Sequence, residues 1–237
     1  MADWATISSL ATAGGTLVLA VATFAAVRSS NRSARLAEIA LQEQRRPLLA
    51  GSRLNVDPEQ KIMFVDEHWV HVGGGYAVTE NADGVIYLAI SLRNFGAGIG
   101  VCQGWGVRVG LVRSGVDHFP ENELRAQTRD LYIPAGDVGL WQGAIRERGD
   151  PAYEELARAI SAREPVAVEL LYSDQVGGQR TISRFGLIPV PDDTWLASVH
   201  RHWFLDRPGP RSERDAQTAA EAILREIESS EERVGRN

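Results

Sequence analysis

Five histidines and a single cysteine have the plainest claim to chemistry in this 237-residue chain. His200 and His202 lie two apart, so on a regular strand they share a face, the arrangement in which two imidazoles take one metal ion. That pair still needs a third and a fourth ligand, and His118 or Cys102 serve only if the fold brings them near. A metal-dependent hydrolase centred on His200 and His202 is thus the catalytic alternative. The competing reading makes His200, His202 and Trp203 an ordinary polar-aromatic surface. His68 and His71, three apart, diverge on a strand. Cys102 sits in an apolar stretch, where cysteine packs as a small hydrophobe.

Two glycine clusters invite comparison with known loops. "GAGIG" at 96–100 lacks the G-x-G-x-x-G spacing of a dinucleotide loop and is followed by strand-like sequence, so no helix N-terminus is there to receive a pyrophosphate. A tight turn accounts for it. "GGQ" at 177–179 follows Asp174 and reads as the turn of a hairpin, where glycine supplies a positive φ. "ENELRAQTRD" (121–130) and "RERGD" (146–150) read as mixed-charge loops rather than acid/base pairs. No catalytic residue and no cofactor is expected.

The elements that position these residues begin with an apolar run. No charged side chain lies between Asp3 and Arg28, and the 24 residues from Trp4 to Val27 make a helix of about 36 Å at ~1.5 Å per residue, enough to cross a bilayer core of about 30 Å. A cleaved signal peptide requires a basic start, and this chain reads Met-Ala-Asp. Residues 1–27 are therefore expected to be a transmembrane anchor, with residues 4–27 in the lipid. Arg28, Arg32, Arg35, Arg45 and Arg46 follow the span and no basic residue precedes it. The positive-inside rule then puts the N-terminus outside and the rest of the chain in the cytoplasm. Ser8, Ala11, Gly15, Val18, Ala22 and Ala25 recur on one face, a small-residue stripe through which two anchors could pair as a homodimer.

Charge is divided unevenly. Residues 28–53 carry six arginines against Glu38 and Glu43, a balance of +4. With the chain at −6 and Asp3 outside, residues 54–237 carry −9. An acidic body behind a basic collar argues against nucleic-acid binding.

Beyond the span, residues 28–47 read as a basic juxtamembrane helix ended by Pro47. Residues 48–205 switch to short strands. "LLAGSRLNV", "KIMFV" and "HWVHV" precede the clearest one, "GVIYLAISLRN", in which Val85, Tyr87, Ala89 and Ser91 face opposite to Ile86, Leu88, Ile90 and Leu92. "WGVRVGLV", "VGLWQGAI", "PVAVELLYS", "QRTISRFGLIPV" and "WLASVHRHWFL" follow, with one helix at 151–163. Tryptophans that stay exposed in such a domain are candidates for partner contact. Residues 206–237 read as a linker and a terminal helix, whose narrow stripe at 212–233 is the best candidate surface for a protein partner. Many short strands with few helices between them predict a mainly β, antiparallel immunoglobulin-like β-sandwich with an N-terminal transmembrane helix and a C-terminal helix.

"RRPLL", the strand ending in "LRNFGAGIG" and the hairpin "LLYSDQVGGQRTISRFGL" resemble elements of a broad group of uncharacterised bacterial single-pass membrane proteins. In that group a basic juxtamembrane helix leads into an immunoglobulin-like β-sandwich. Asn94, Gly96 and Gly98 match its Asn-x-Gly-x-Gly turn; Tyr172, Asp174 and Gly177 match its later hairpin. The segment around 113–130 and the C-terminal helix depart from the pattern. The resemblance implies a fold and no activity. Together these readings make the chain a membrane-anchored cytoplasmic binding or scaffolding module.

Overall fold

The computed structural model describes residues 4–111, 117–191 and 193–207, and the chain divides into two units at Gln44/Arg45. The expected 212–233 helix lies outside the described residues.

The first unit is one helix, α1 (Trp4–Glu43). No proline interrupts it, and the restriction Pro47 places on the residue before it helps end the helical run. By length and composition it is able to cross a membrane.

The second unit is mainly β. In chain order it comprises β1 (Leu49–Gly51), β2 (Gln60–Met63), β3 (Trp69–Val72), β4 (Tyr76–Ala82), β5 (Val85–Asn94), β6 (Gly100–Val109), β7 (Arg125–Ile133), β8 (Val138–Ile145), α2 (Tyr153–Ser161), β9 (Val166–Ser173), β10 (Thr181–Pro189) and β11 (Trp195–Phe204). Asp83 (φ 52°) and Gly84 (φ 79°) form the two-residue turn that folds β4 back onto β5. β8 runs along one edge of β5. The other edge is shared by β4 and, further along, by β1. β9, β10 and β11 form a meander, β6 joins β9, and β7 joins β6, all antiparallel. One curled sheet results, in the order β8-β5-β4-β11-β10-β9-β6-β7, with β1 beside β4 on β5. Its two ends meet through Gln127. The Trp141 indole donates to Gln127 Oε1 (3.0 Å), and Gln127 Nε2 donates to the Gln142 carbonyl (3.2 Å).

The curl encloses Ile86, Leu88, Ile90 and Leu92 of β5 with Trp105, Trp141, Val168, Leu170 and Phe185, and α2 contributes Tyr153 and Leu156. On the opposite face of β5, the β2–β3 hairpin lays Ile62, Phe64, Val70 and Val72 over Tyr87 and Ala89. β5 is thus covered on both sides, which is why its sequence is almost continuously apolar while its two faces go to different clusters.

Residues 121–130, expected as a charged loop, instead enter β7 from Arg125 onward. β7 is a border strand bonded in the sheet, among the described residues, to β6 alone, and its largely exposed polar residues carry little hydrophobic period. β4, whose "YAVTENA" lacks a continuous apolar face, is a strand that periodicity does not reveal. Its signal is the Asp-Gly turn that follows it.

Candidate functional site

The sequence's two turn motifs meet at the end of the domain where the chain arrives from α1. Residues 45–51 lie there as a strap along the sheet, and Asn94, completely buried, holds it. Asn94 Oδ1 accepts from the amides of Leu48 (3.1 Å) and Gly96 (2.9 Å), and its Nδ2 donates to the carbonyls of Gly98 (2.6 Å) and Ile133 (2.9 Å). Both donors and both acceptor sites of the amide are used, so neither aspartate nor leucine replaces it. The Phe95 amide bonds the Leu48 carbonyl (2.8 Å), and the Ala97 amide bonds that of Arg46 (3.2 Å). A Cβ at Gly96 or Gly98 would fall on the carbonyl oxygens of Arg46 and Arg45 respectively. These glycines are required by the close passage of another backbone.

Tyr172, from the second motif, reaches the strap from beneath. Its hydroxyl accepts from the Leu49 amide (3.2 Å) and is bonded to Ser183 Oγ (2.9 Å), which lies 2.6 Å from His202 Nδ1. Burial pushes the Tyr172 phenol up to about 12 and lowers the His202 imidazole from its ordinary value, so both groups stay neutral as structural partners. Asp174 shapes its own hairpin, accepting from the amides of Gly178 (2.7 Å) and Gln179 (3.2 Å), while Gly177 supplies φ 78°. Between the two turns is a cleft of about 230 Å3 lined by Arg45, Ala97, Gly98, Ile99, Asp174, Gln175 and Val176.

Arg28, Arg32, Arg35 and Arg45 are exposed, whereas Arg46 is 8% exposed and forms a two-pronged ion pair with Asp206, 160 residues away. Its guanidinium also lies 4.8 Å from the Phe204 ring centroid. Burial, the largest single influence, would raise the Asp206 carboxyl, but the hydrogen bonds from Arg46, a backbone hydrogen bond and the charges of Arg46 and Arg207 together outweigh it and hold the group below the ordinary carboxylate value. Asp206 was legible only as part of a linker, because nothing local marks a partner so distant in sequence. Ser183 was missed for the same reason.

His200 and His202 do not share a face. A bulge on β11 opposite Arg184/Phe185 pairs Phe185 with Val199 and Arg184 with Arg201, leaving His200 as the extra residue. His202 turns toward Ser183 and Tyr172, while the His200 ring stands over Gly186, where a Cβ would collide with it. Burial, then the Arg184 charge, lowers the His200 pKa. Among the described residues no group of three or more His, Cys, Asp or Glu is arranged to hold a metal ion. Cys102 is buried, and its thiol is pushed up to about 12 by burial alone.

A second polar cluster, unforeseen from sequence, lies on the outer face of β9 and β10. Glu169 and Arg184, both 1% exposed, form an ion pair. Glu169 Oε2 accepts from the Phe119 amide (2.7 Å), and Arg184 donates to the Asp117 carbonyl (2.7 Å), so the pair fastens the 117–119 segment to the sheet.

No protein-family model and no solved structure matches the chain. Over 97 residues, 39% of its length, it is 27% identical to an adenine deaminase of Desulforamulus reducens, and the aligned part spans 16% of that protein.

Proposed function

We propose that the chain is a single-pass, membrane-anchored binding or scaffolding module whose β domain works in the cytoplasm without catalysis. The observation that carries this reading is the strap. The residues that follow a membrane-length helix are built into the sheet by Asn94, Tyr172 and the Arg46–Asp206 pair, so the most specific polar chemistry of the domain goes to fixing how it is carried. The basic flank supports the cytoplasmic side, with Arg28, Arg32, Arg35 and Arg45 exposed. The curled sheet is read as an immunoglobulin-like sandwich; its opposed halves around a completely buried Trp141 support the layering, and the two turn motifs support the kinship. The bulge at His200, which turns it away from the face of His202, weighs against the hydrolase alternative. Adenine deamination belongs to a protein of which only 16% is aligned, and we do not extend it to this chain.

The test is topology. C-terminal alkaline phosphatase and fluorescent-protein fusions, combined with membrane fractionation, should give fluorescence in the membrane fraction without phosphatase activity. Phosphatase activity would place the domain outside and overturn the cytoplasmic reading; a soluble, fluorescent product would overturn the anchor.

A further inference from the structure

The bonding register of the β4–β5 hairpin leaves part of one strand edge without a backbone partner among the described residues. In a two-residue hairpin the closing pair exchanges both backbone hydrogen bonds, and bonded pairs then alternate along the ladder. Here the closing pair is Ala82 and Val85, so Ala82, Glu80 and Val78 turn their N–H and C=O toward β5. Ala77, Thr79 and Asn81 turn theirs the other way. Gly75 and Ala77 meet β11 on that side, through the Ala197 amide to the Gly75 carbonyl and the pairing of Ala77 with Trp195. β11 then ends, since the chain turns at 190–194. Among the described residues no backbone bond reaches the outward groups of Thr79 and Asn81.

Beside this edge lies a cleft of about 540 Å3, walled by Tyr76, Val78 and Glu80 of β4, by Glu59 and His71 of the β2–β3 hairpin, and by the Asp193–Trp195 turn. Its charge is one-sided. Asp193 is paired with Arg163. Glu59 and Glu80 have only His71 and His68 opposite them, each at 3.2 Å, and no lysine or arginine partner among the described residues. Thr79, which also lines the cleft, is 7% exposed, and its Oγ1 has no hydrogen-bond partner among the described residues.

We propose that this edge receives an extended segment of another protein as an added antiparallel strand, bonded to the backbone of Thr79 and Asn81, with lysine or arginine side chains over Glu59 and Glu80. Unpaired strand groups supply the affinity, and the two carboxylates select a basic segment over an acidic one. The proposal rests on the binding-module reading and gives it a partner class.

The test places the photo-cross-linker p-benzoylphenylalanine at Tyr76 in the full chain, in native membranes, with the same group at the exposed Tyr132 of β7 as reference. The expected product is an adduct specific to position 76 whose sequenced peptide comes from another protein and carries basic residues at alternating positions. Asn81→Pro removes one outward N–H without touching the bonds to β5, and it should cut the yield about fivefold or more. Glu80→Lys should cut it as well, and it decides the matter if the proline variant does not fold. An adduct to a second copy of this chain, a yield indifferent to both substitutions, or no adduct above the Tyr132 reference would each overturn the proposal. C-terminal fluorescent and phosphatase fusions in the same strains keep the two readings apart. Failure of the cross-link with topology unchanged removes the strand-addition site alone.

Discussion

β1 and β4 lie along the same edge of β5 and are secured in opposite ways. β1 is three residues long, too short to hold by its ladder, and side chains from three other places pin it or the residues just before it: Tyr172 at Leu49, Asn94 at Leu48 and Asp206 at Arg46. β4 is seven residues long and paired to β5 from Ala77 to Ala82, and among the described residues no strand bonds the far edge of its second half. A short strand that must stay put needs buried amides and glycines shaped around its backbone. A long strand in a hairpin holds without them and can leave its other edge open.

The comparison is broken most severely at Gly98. An alanine Cβ there lands on the Arg45 carbonyl, so the strap must lift. Gly98→Ala should cost about 4 kcal/mol and lower Tm by roughly 10 °C, read by thermal denaturation of the full chain in detergent. Asn94→Ala follows at about 2–4 kcal/mol, since it strands four backbone groups in a place that is buried at Ile133 and partly buried at the other three. Asn94→Asp should be no milder, because it offers the Gly98 and Ile133 carbonyls no donor.

Charge gives smaller effects with a defined sign. The folded Asp206 carboxyl lies below its ordinary 3.8, so its stabilisation is present above that pH and is lost as pH falls through the folded value. Asp206→Asn should cost about 1 kcal/mol at neutral pH, the pair being partly solvated, and should flatten the stability curve below about pH 4. His202 acts at higher pH. Its folded pKa is depressed below 6.5, so the unfolded chain takes up a proton first and stability declines as pH drops through that range. His202→Asn should remove this limb of the curve. The smallest change expected is in β4: Asn81→Pro should shift stability by less than about 0.5 kcal/mol. A loss as large as that of Asn94→Ala would mean that the far edge of β4 is fastened after all.

How much of this was legible in the sequence depended on whether a signal was local. The faces of β5, the hairpin around Gly177 and the helix after Pro151 are written within a few residues, and they stand as read. Asn94, Gly96 and Gly98 were legible as a turn, but their purpose depends on a backbone some 50 residues earlier, with no mark in the motif itself. The His200–His202 pair misled because period-two alternation assumes a regular strand, and a bulge is set by the partner's packing. The Glu169–Arg184 pair was invisible, since charged residues in a strand read as solvent-facing until the segment covering them is known.

The Arg46–Asp206 pair also has a mechanical meaning. It joins the first and last described turns of the domain, so the chain arrives and departs at one place, like a loop of rope tied at its base. A pull between α1 and the residues beyond Arg207 would load this knot and the three-residue β1 before it stretched any long strand. The rest of the sheet would then hang outside the line of force and keep its shape while its tether was under tension.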